Sequence, residues 1–152
     1  MYEHLGVAGA YLVWTALFIL LGGAVLGSLV VVHWRLPKFY ILYGLAFFLY
    51  AVGWVGAYFT LRGATGEWVG SLAGSVLLAF VFAAGFHTIG STPKFSALLF
   101  VANSAGYFVG STLNDYVGGI GGMLLWGMIY GLSLGAGLGA VLHLAQVRAT
   151  HP

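Results

Sequence analysis

The amino-acid sequence predicts an all-α integral membrane protein, a bundle of about five transmembrane helices with the N-terminus outside and the C-terminus in the cytoplasm. Three observations lead there. The 152 residues are 61% hydrophobic and only 5% charged, where a soluble domain carries about a quarter charged. Apolar stretches recur between a few polar breaks, and each is long enough for a hydrocarbon core about 30 Å thick, which takes roughly 20 helical residues. Breaks that carry only basic residues alternate with breaks that carry the acidic ones.

The breaks are Arg35-Leu36-Pro37-Lys38, the segment from Leu61 to Glu67, Gly90-Ser91-Thr92-Pro93-Lys94, and Asn114-Asp115-Tyr116. They delimit helices at residues 7–34, 39–61, 68–89, 95–113 and 118–147, forming a single polytopic domain over residues 1–152. No room remains for a separate soluble catalytic domain. The opening Met1-Tyr2-Glu3-His4 lacks the basic stretch of a secretory signal, and the apolar run after it is longer than a signal core, so the first span reads as an uncleaved helix. Short connections make consecutive helices antiparallel neighbours, giving two hairpins followed by a fifth, glycine-rich helix.

Arg35, Lys38, Lys94 and Arg148 fall on one side of these spans, whereas Glu3, Glu67 and Asp115 fall on the other with Arg62. The positive-inside rule turns that bias into the orientation stated above, in a cell inner or plasma membrane. Tyr11, Trp14, Trp34, Tyr40, Tyr58, Trp68 and Tyr116 lie near span ends, where amphipathic rings suit the interface. The 25 glycines favour close helix packing, because small residues let helices approach in lipid.

Pro-Lys-Phe occurs at Pro37-Lys38-Phe39 and again at Pro93-Lys94-Phe95, each time just after a helix that ends near a histidine. His33 and His87 precede the two copies at nearly the same distance, and His143 follows His87 by the offset that separates the two tripeptides. Two parallel hairpins plus a solitary helix would produce this pattern, as would topology alone, which selects Pro-Lys at a cytoplasmic helix start.

His33, His87 and His143 are therefore expected at one depth, at the cytoplasmic ends of helices one, three and five, as candidate cofactor ligands. A small residue four positions before a histidine leaves space for a flat macrocycle. Ala83 and Gly139 provide it for His87 and His143, whereas Leu29 before His33 does not. An amphipathic ring at a membrane boundary also needs no ligand, so the cofactor expectation is none, with haem or chlorophyll as the alternative.

Helix four carries Asn103, Gly106, Tyr107, Gly110, Ser111 and Asn114 at spacings of three and four, which places small and polar groups on one stripe. Asn103, Tyr107, Ser111 and Asn114, with Asp115 at the outer mouth, are the candidate lining of a solute path. The competing role is helix packing, with the amide of Asn103 bonded across to a neighbour. Helix five carries Gly127, Gly131, Gly135 and Gly139, a packing seam within the bundle or between subunits. Helix two carries an aromatic stripe, Tyr40, Tyr43, Phe47, Tyr50, Trp54 and Tyr58, expected to fill against the small-residue bands of helices four and five.

Several function classes fall away. There is no cysteine for thiolate chemistry. The glycine pairs lack the Lys-Ser or Lys-Thr of a phosphate-binding loop. The spans hold no deep carboxylate pair, and five scattered Lys and Arg form no track for a nucleic acid. What remains is a small non-enzymatic membrane protein, channel- or transporter-like for a small solute or ion. The alternatives are a haem- or chlorophyll-binding electron-transfer or light-harvesting subunit, or an accessory subunit of a larger membrane complex. Its expected partners are the bilayer and further subunits, in a homo-oligomer or a membrane complex, with no nucleic acid.

Overall fold

A computed structural model describes residues 16–30 and 36–150. Among them there is no strand. The chain forms α1 (Ala16–Ser28), α2 (Leu36–Leu61), α3 (Gly63–Gly85), a short 3-10 turn (Ile89–Ser91), α4 (Thr92–Val117) and α5 (Gly119–Thr150). The last four helices hold 26, 23, 26 and 32 residues. Each is long and apolar enough to cross a membrane. At 1.5 Å per residue they reach roughly 35 to 48 Å, more than the hydrocarbon core requires. Ile41, Phe48, Phe59, Val101 and Leu132 stand on the outside, each at least 63% exposed, a surface suited to lipid and not to water. The architecture is that of a helical membrane protein.

The helix boundaries differ from the sequence expectation where backbone geometry overrides composition. The polar segment from Leu61 to Glu67 is not a loop: α2 and α3 are separated by Arg62 alone. Arg62 and Gly63 both take positive φ, 53° and 56°. The Arg62 N–H donates to the Tyr58 carbonyl at 2.7 Å, and the Gly66 N–H donates to the Arg62 carbonyl at 3.0 Å. One residue thus closes α2 and opens α3. At the other corner α4 runs straight through Asn114-Asp115-Tyr116. The reversal falls at Gly118 and Gly119, whose φ values of 69° and 56° suit a residue without a Cβ. Only residues 16–30 of the expected first span are described up to the first corner. There the helix stops at Ser28, and Leu29 and Val30 bond three residues back in tightened turns.

Helix α3 ends in a Schellman arrangement. The Thr88 N–H donates to the Ala83 carbonyl at 2.7 Å, and the His87 N–H donates to the Ala84 carbonyl at 3.1 Å. His87 holds the left-handed position, φ 56°, that glycine normally fills. A 3-10 turn follows, then α4, with Pro93 in the first turn, where its missing N–H leaves no helix bond unmade.

Neighbouring helices pack through glycine. On α3, Gly66, Gly70 and Gly74 face Tyr58, Trp54 and Tyr50 of α2 so closely that a Cβ would lie 2.7 to 3.1 Å from them. The descending numbers on α2 show the pair to be antiparallel. Between α4 and α5, Gly106 meets Tyr130 and Ser133, Gly110 meets Trp126, and Gly137 meets Ala102. The rings of α2 therefore fill against the glycines of α3, not those of α4 and α5. This four-residue band on α3 is the packing seam that the sequence reading passed over.

The hydrophobic core lies toward the end that carries Lys38, Lys94 and Arg148, called here the basic end. Phe39 and Tyr43 of α2, Leu78 and Phe82 of α3, Phe95 and Leu99 of α4, and Leu134, Leu138 and Val141 of α5 are all buried there. α1 covers this half: Leu26 joins the core, Phe18 meets Phe47 edge-on at 5.1 Å, and the Tyr40 hydroxyl donates to the Leu20 carbonyl at 2.8 Å. The Arg148 guanidinium donates to the hydroxyl of buried Ser91, tying the end of α5 to the corner before α4.

Candidate functional site

The inward stripe of α4 positions the site. Asn103, at 2% exposure, sits one turn before Gly106, and the missing Cβ there brings α4 against the Tyr130 backbone of α5. Ser71 of α3 and Tyr50 of α2 also lie within hydrogen-bond reach of the same amide. Its oxygen accepts from the Tyr50 hydroxyl at 2.9 Å and from the Tyr130 hydroxyl at 2.9 Å, and these two hydroxyls lie 3.1 Å apart. Its nitrogen donates to the Ser71 hydroxyl at 2.8 Å, and Ser71 is 2.8 Å from the Ser104 hydroxyl. Beside the cluster, the Ser133 hydroxyl of α5 donates to the Ala102 carbonyl of α4 at 2.7 Å.

Four helices therefore meet on one carboxamide. Both lone pairs of the amide oxygen are occupied. An amide held without such partners in an apolar medium costs several kcal/mol, on the order of 2 to 7, so the partners are what allow Asn103 to sit at this depth. The cluster consists of hydroxyls and one amide, each engaged with another member.

Toward the end that carries Glu67 and Asp115, the acidic end, the α4 stripe continues through Tyr107. Its ring is edge-on to Trp54 of α2 at 6.2 Å and to Trp126 and Tyr130 of α5 at 6.4 Å each. Trp54 stacks on Tyr58 and Trp126 on Tyr130, at 5.1 and 5.8 Å, so Tyr107 is set between two stacked aromatic walls. Ser111 and Asn114 are half-buried farther along, and Asp115 is exposed at the end. Of the five expected path residues, Asn103 is buried, the next three are half-buried and Asp115 is exposed.

His33 lies outside the described residues. His87 and His143 are both exposed, and no group of three or more metal-ligating side chains occurs among the described residues. Ala83, the small residue before His87, is fully buried in the core, and His87 itself lies past the end of α3 at positive φ. His143 instead lines a cavity of about 220 Å³ with Leu29, Gly139, Leu142 and Gln146. Among the described residues, no neighbouring helix comes within 4 Å of where a Cβ would stand on the α5 glycines Gly127, Gly131, Gly135 and Gly139.

Ser71, Ser104 and Tyr130 were not singled out in the sequence, and Tyr50 was named only for its ring. Tyr50 lay within an aromatic stripe and the serines within apolar helix, where a single hydroxyl gives no periodic signal. The chain matches no protein-family model, and no curated protein or solved structure is similar to it.

Proposed function

We propose that this chain is a small non-enzymatic membrane protein that works as an assembly of subunits joined through α5. The observation that carries this reading is the open glycine band. Gly66, Gly70, Gly74 and Gly85 of α3 and Gly106, Gly110, Gly122 and Gly137 of α4 and α5 press on neighbours, whereas Gly127, Gly131, Gly135 and Gly139 face no neighbour among the described residues. In lipid there is no hydrophobic drive between helices, and close contact over small residues supplies the association instead. An unused band of this kind on the last helix fits a second copy or a partner subunit.

The test is disulfide crosslinking in membranes. Cysteine placed at Gly131 is expected to form a crosslinked dimer, and one at exposed Val101 on α4 is not. Gly131→Leu is expected to lower the native mass in mild detergent. A wild-type protein that runs as a monomer in membranes and detergent alike overturns the reading.

A second reading, a path for a small solute or ion, is favoured by the inward α4 stripe of Tyr107, Ser111 and Asn114 leading from Asp115. The hydrogen-bonded Asn103 cluster then acts as the closed gate at its inner end. The orientation with Lys38, Lys94 and Arg148 in the cytoplasm belongs to both readings.

A further inference from the structure

The order of the turns decides which parts of the bundle can separate. α2 and α3 are joined at the acidic end through Arg62, and α4 and α5 are joined at the same end through Gly118 and Gly119. The chain passes from one hairpin to the other at the basic end, through the turn Ile89–Ser91. Each hairpin is closed on itself by glycine. A Cβ on Gly66 or Gly70 of α3 would lie 3.1 or 3.0 Å from the backbone of Tyr58 or Trp54, and one on Gly106 or Gly110 of α4 would lie 3.1 or 3.2 Å from that of Tyr130 or Trp126. Between the hairpins, the basic half is locked by the shared core and by the Arg148 contact with Ser91. The acidic half is held differently. α3 and α4 stay together through Trp68 stacked on Phe108 at 4.2 Å and through the Ser71 and Ser104 hydroxyls. Across from them, α2 and α5 share no glycine contact among the described residues and are joined by side-chain tips. These are the Tyr50 and Tyr130 hydroxyls, both donating to Asn103, and the Tyr107 ring edge-on between Trp54 and Trp126.

We propose that the two hairpins form a clamp hinged at the basic end, and that Tyr50, Asn103 and Tyr130 form the latch that holds its acidic end shut. The proposal rests on the solute-path reading above and gives that path its opening motion. Parting α2 from α5 breaks two neutral hydrogen bonds and separates ring edges, whereas each hairpin moves as a unit because its backbones are already in contact. The motion brings Tyr107, Ser111 and Asn114 into contact with water at the acidic end, with the Asn103 amide at the floor. The bond from Asn103 to Ser71 lies on the seam between α3 and α4 and survives. The amide oxygen exchanges two phenol donors for water, so the open form leaves no polar group unpaired. The latch also sets the balance between the two forms: without the two hydroxyls, the shut form buries a carboxamide oxygen that has lost both donors.

The experiment measures distances between pairs of spin labels on the full-length protein in lipid nanodiscs. The chain has no cysteine, so engineered cysteine pairs label specifically. Labels at Ala64 and Ile120, exposed in the first turns of α3 and α5, report across the acidic end, and labels at Lys38 and Lys94 report across the basic end. Tyr50→Phe combined with Tyr130→Phe keeps both rings and removes both donors. It is expected to raise the ratio of long to short distances between Ala64 and Ile120 by roughly tenfold, with each single change intermediate, and to leave the distance between Lys38 and Lys94 unchanged. An acidic-end distribution identical to wild type overturns the clamp, and so does equal lengthening at both ends. Joining Ala64→Cys to Ile120→Cys with a bis-maleimide matched to the short distance separates the clamp from the path reading in liposomes, where the joined protein is expected to pass no solute. Flux that persists in it overturns the clamp and keeps the path. Labels that part in a wild-type protein that passes no solute keep the clamp and overturn the path.

Discussion

The amide of Asn103 illustrates how one residue in lipid acquires its role from its neighbours. Its position near the middle of a span was legible, and so was the requirement for water or a protein partner. The identity of the partners was not, because Tyr50, Ser71 and Tyr130 come from three other helices and only packing brings them together. Asn103→Leu keeps the volume and removes the bonds. Tyr50 and Tyr130 remain near each other, as do Ser71 and Ser104, so the expected loss is moderate, about 1 to 2 kcal/mol, measured as a lower unfolding midpoint in detergent. A paired liposome flux assay separates the two roles. Loss of flux at unchanged stability would assign the amide to a path, and loss of stability with no wild-type flux would assign it to the bundle alone.

At the scale of the helix, the apolar stretches were legible as helices, but their ends were not. Polar residues marked the surface, and the chain reversed where the backbone allowed it. The turn from α2 to α3 needs only Arg62 and Gly63, and the turn from α4 to α5 waits for Gly118 and Gly119, past Asn114 and Asp115. The packing seams were obscured for a related reason: a glycine spacing of four reads the same whether a neighbour occupies it or not. Gly66, Gly70 and Gly74 are occupied, whereas Gly127 and Gly131 meet no neighbour among the described residues. The end of α3 offers a sharp test. His87 sits at positive φ, a conformation that costs a side-chain-bearing L-residue roughly 1 to 2 kcal/mol. His87→Gly is therefore expected to raise the unfolding free energy by up to about 1 kcal/mol, part of the gain being lost to the flexibility of glycine in the unfolded chain. Chemical denaturation of the purified protein measures it. A destabilised His87→Gly would mean that the imidazole makes contacts worth more than the strain.

For the whole molecule, the basic and acidic ends are the most direct handle on orientation. A cysteine at Thr92, in the first turn of α4, should react with an impermeant maleimide only from the cytoplasmic side, and one at Ala64, in the first turn of α3, only from outside. The reverse pattern would invert the protein in its membrane. The hydrogen-bonded centre also bears on how such a chain is made. Helices enter the bilayer in order during synthesis, and Tyr130 is the last of the Asn103 partners to emerge. Until α5 inserts, the amide oxygen has Tyr50 alone as a donor, and buried Ser91 has no Arg148 to meet it. The last helix thus completes two bonding arrangements at different depths at once, and a chain arrested before it carries a mid-membrane polar group that insertion and quality-control machinery can distinguish from the finished protein.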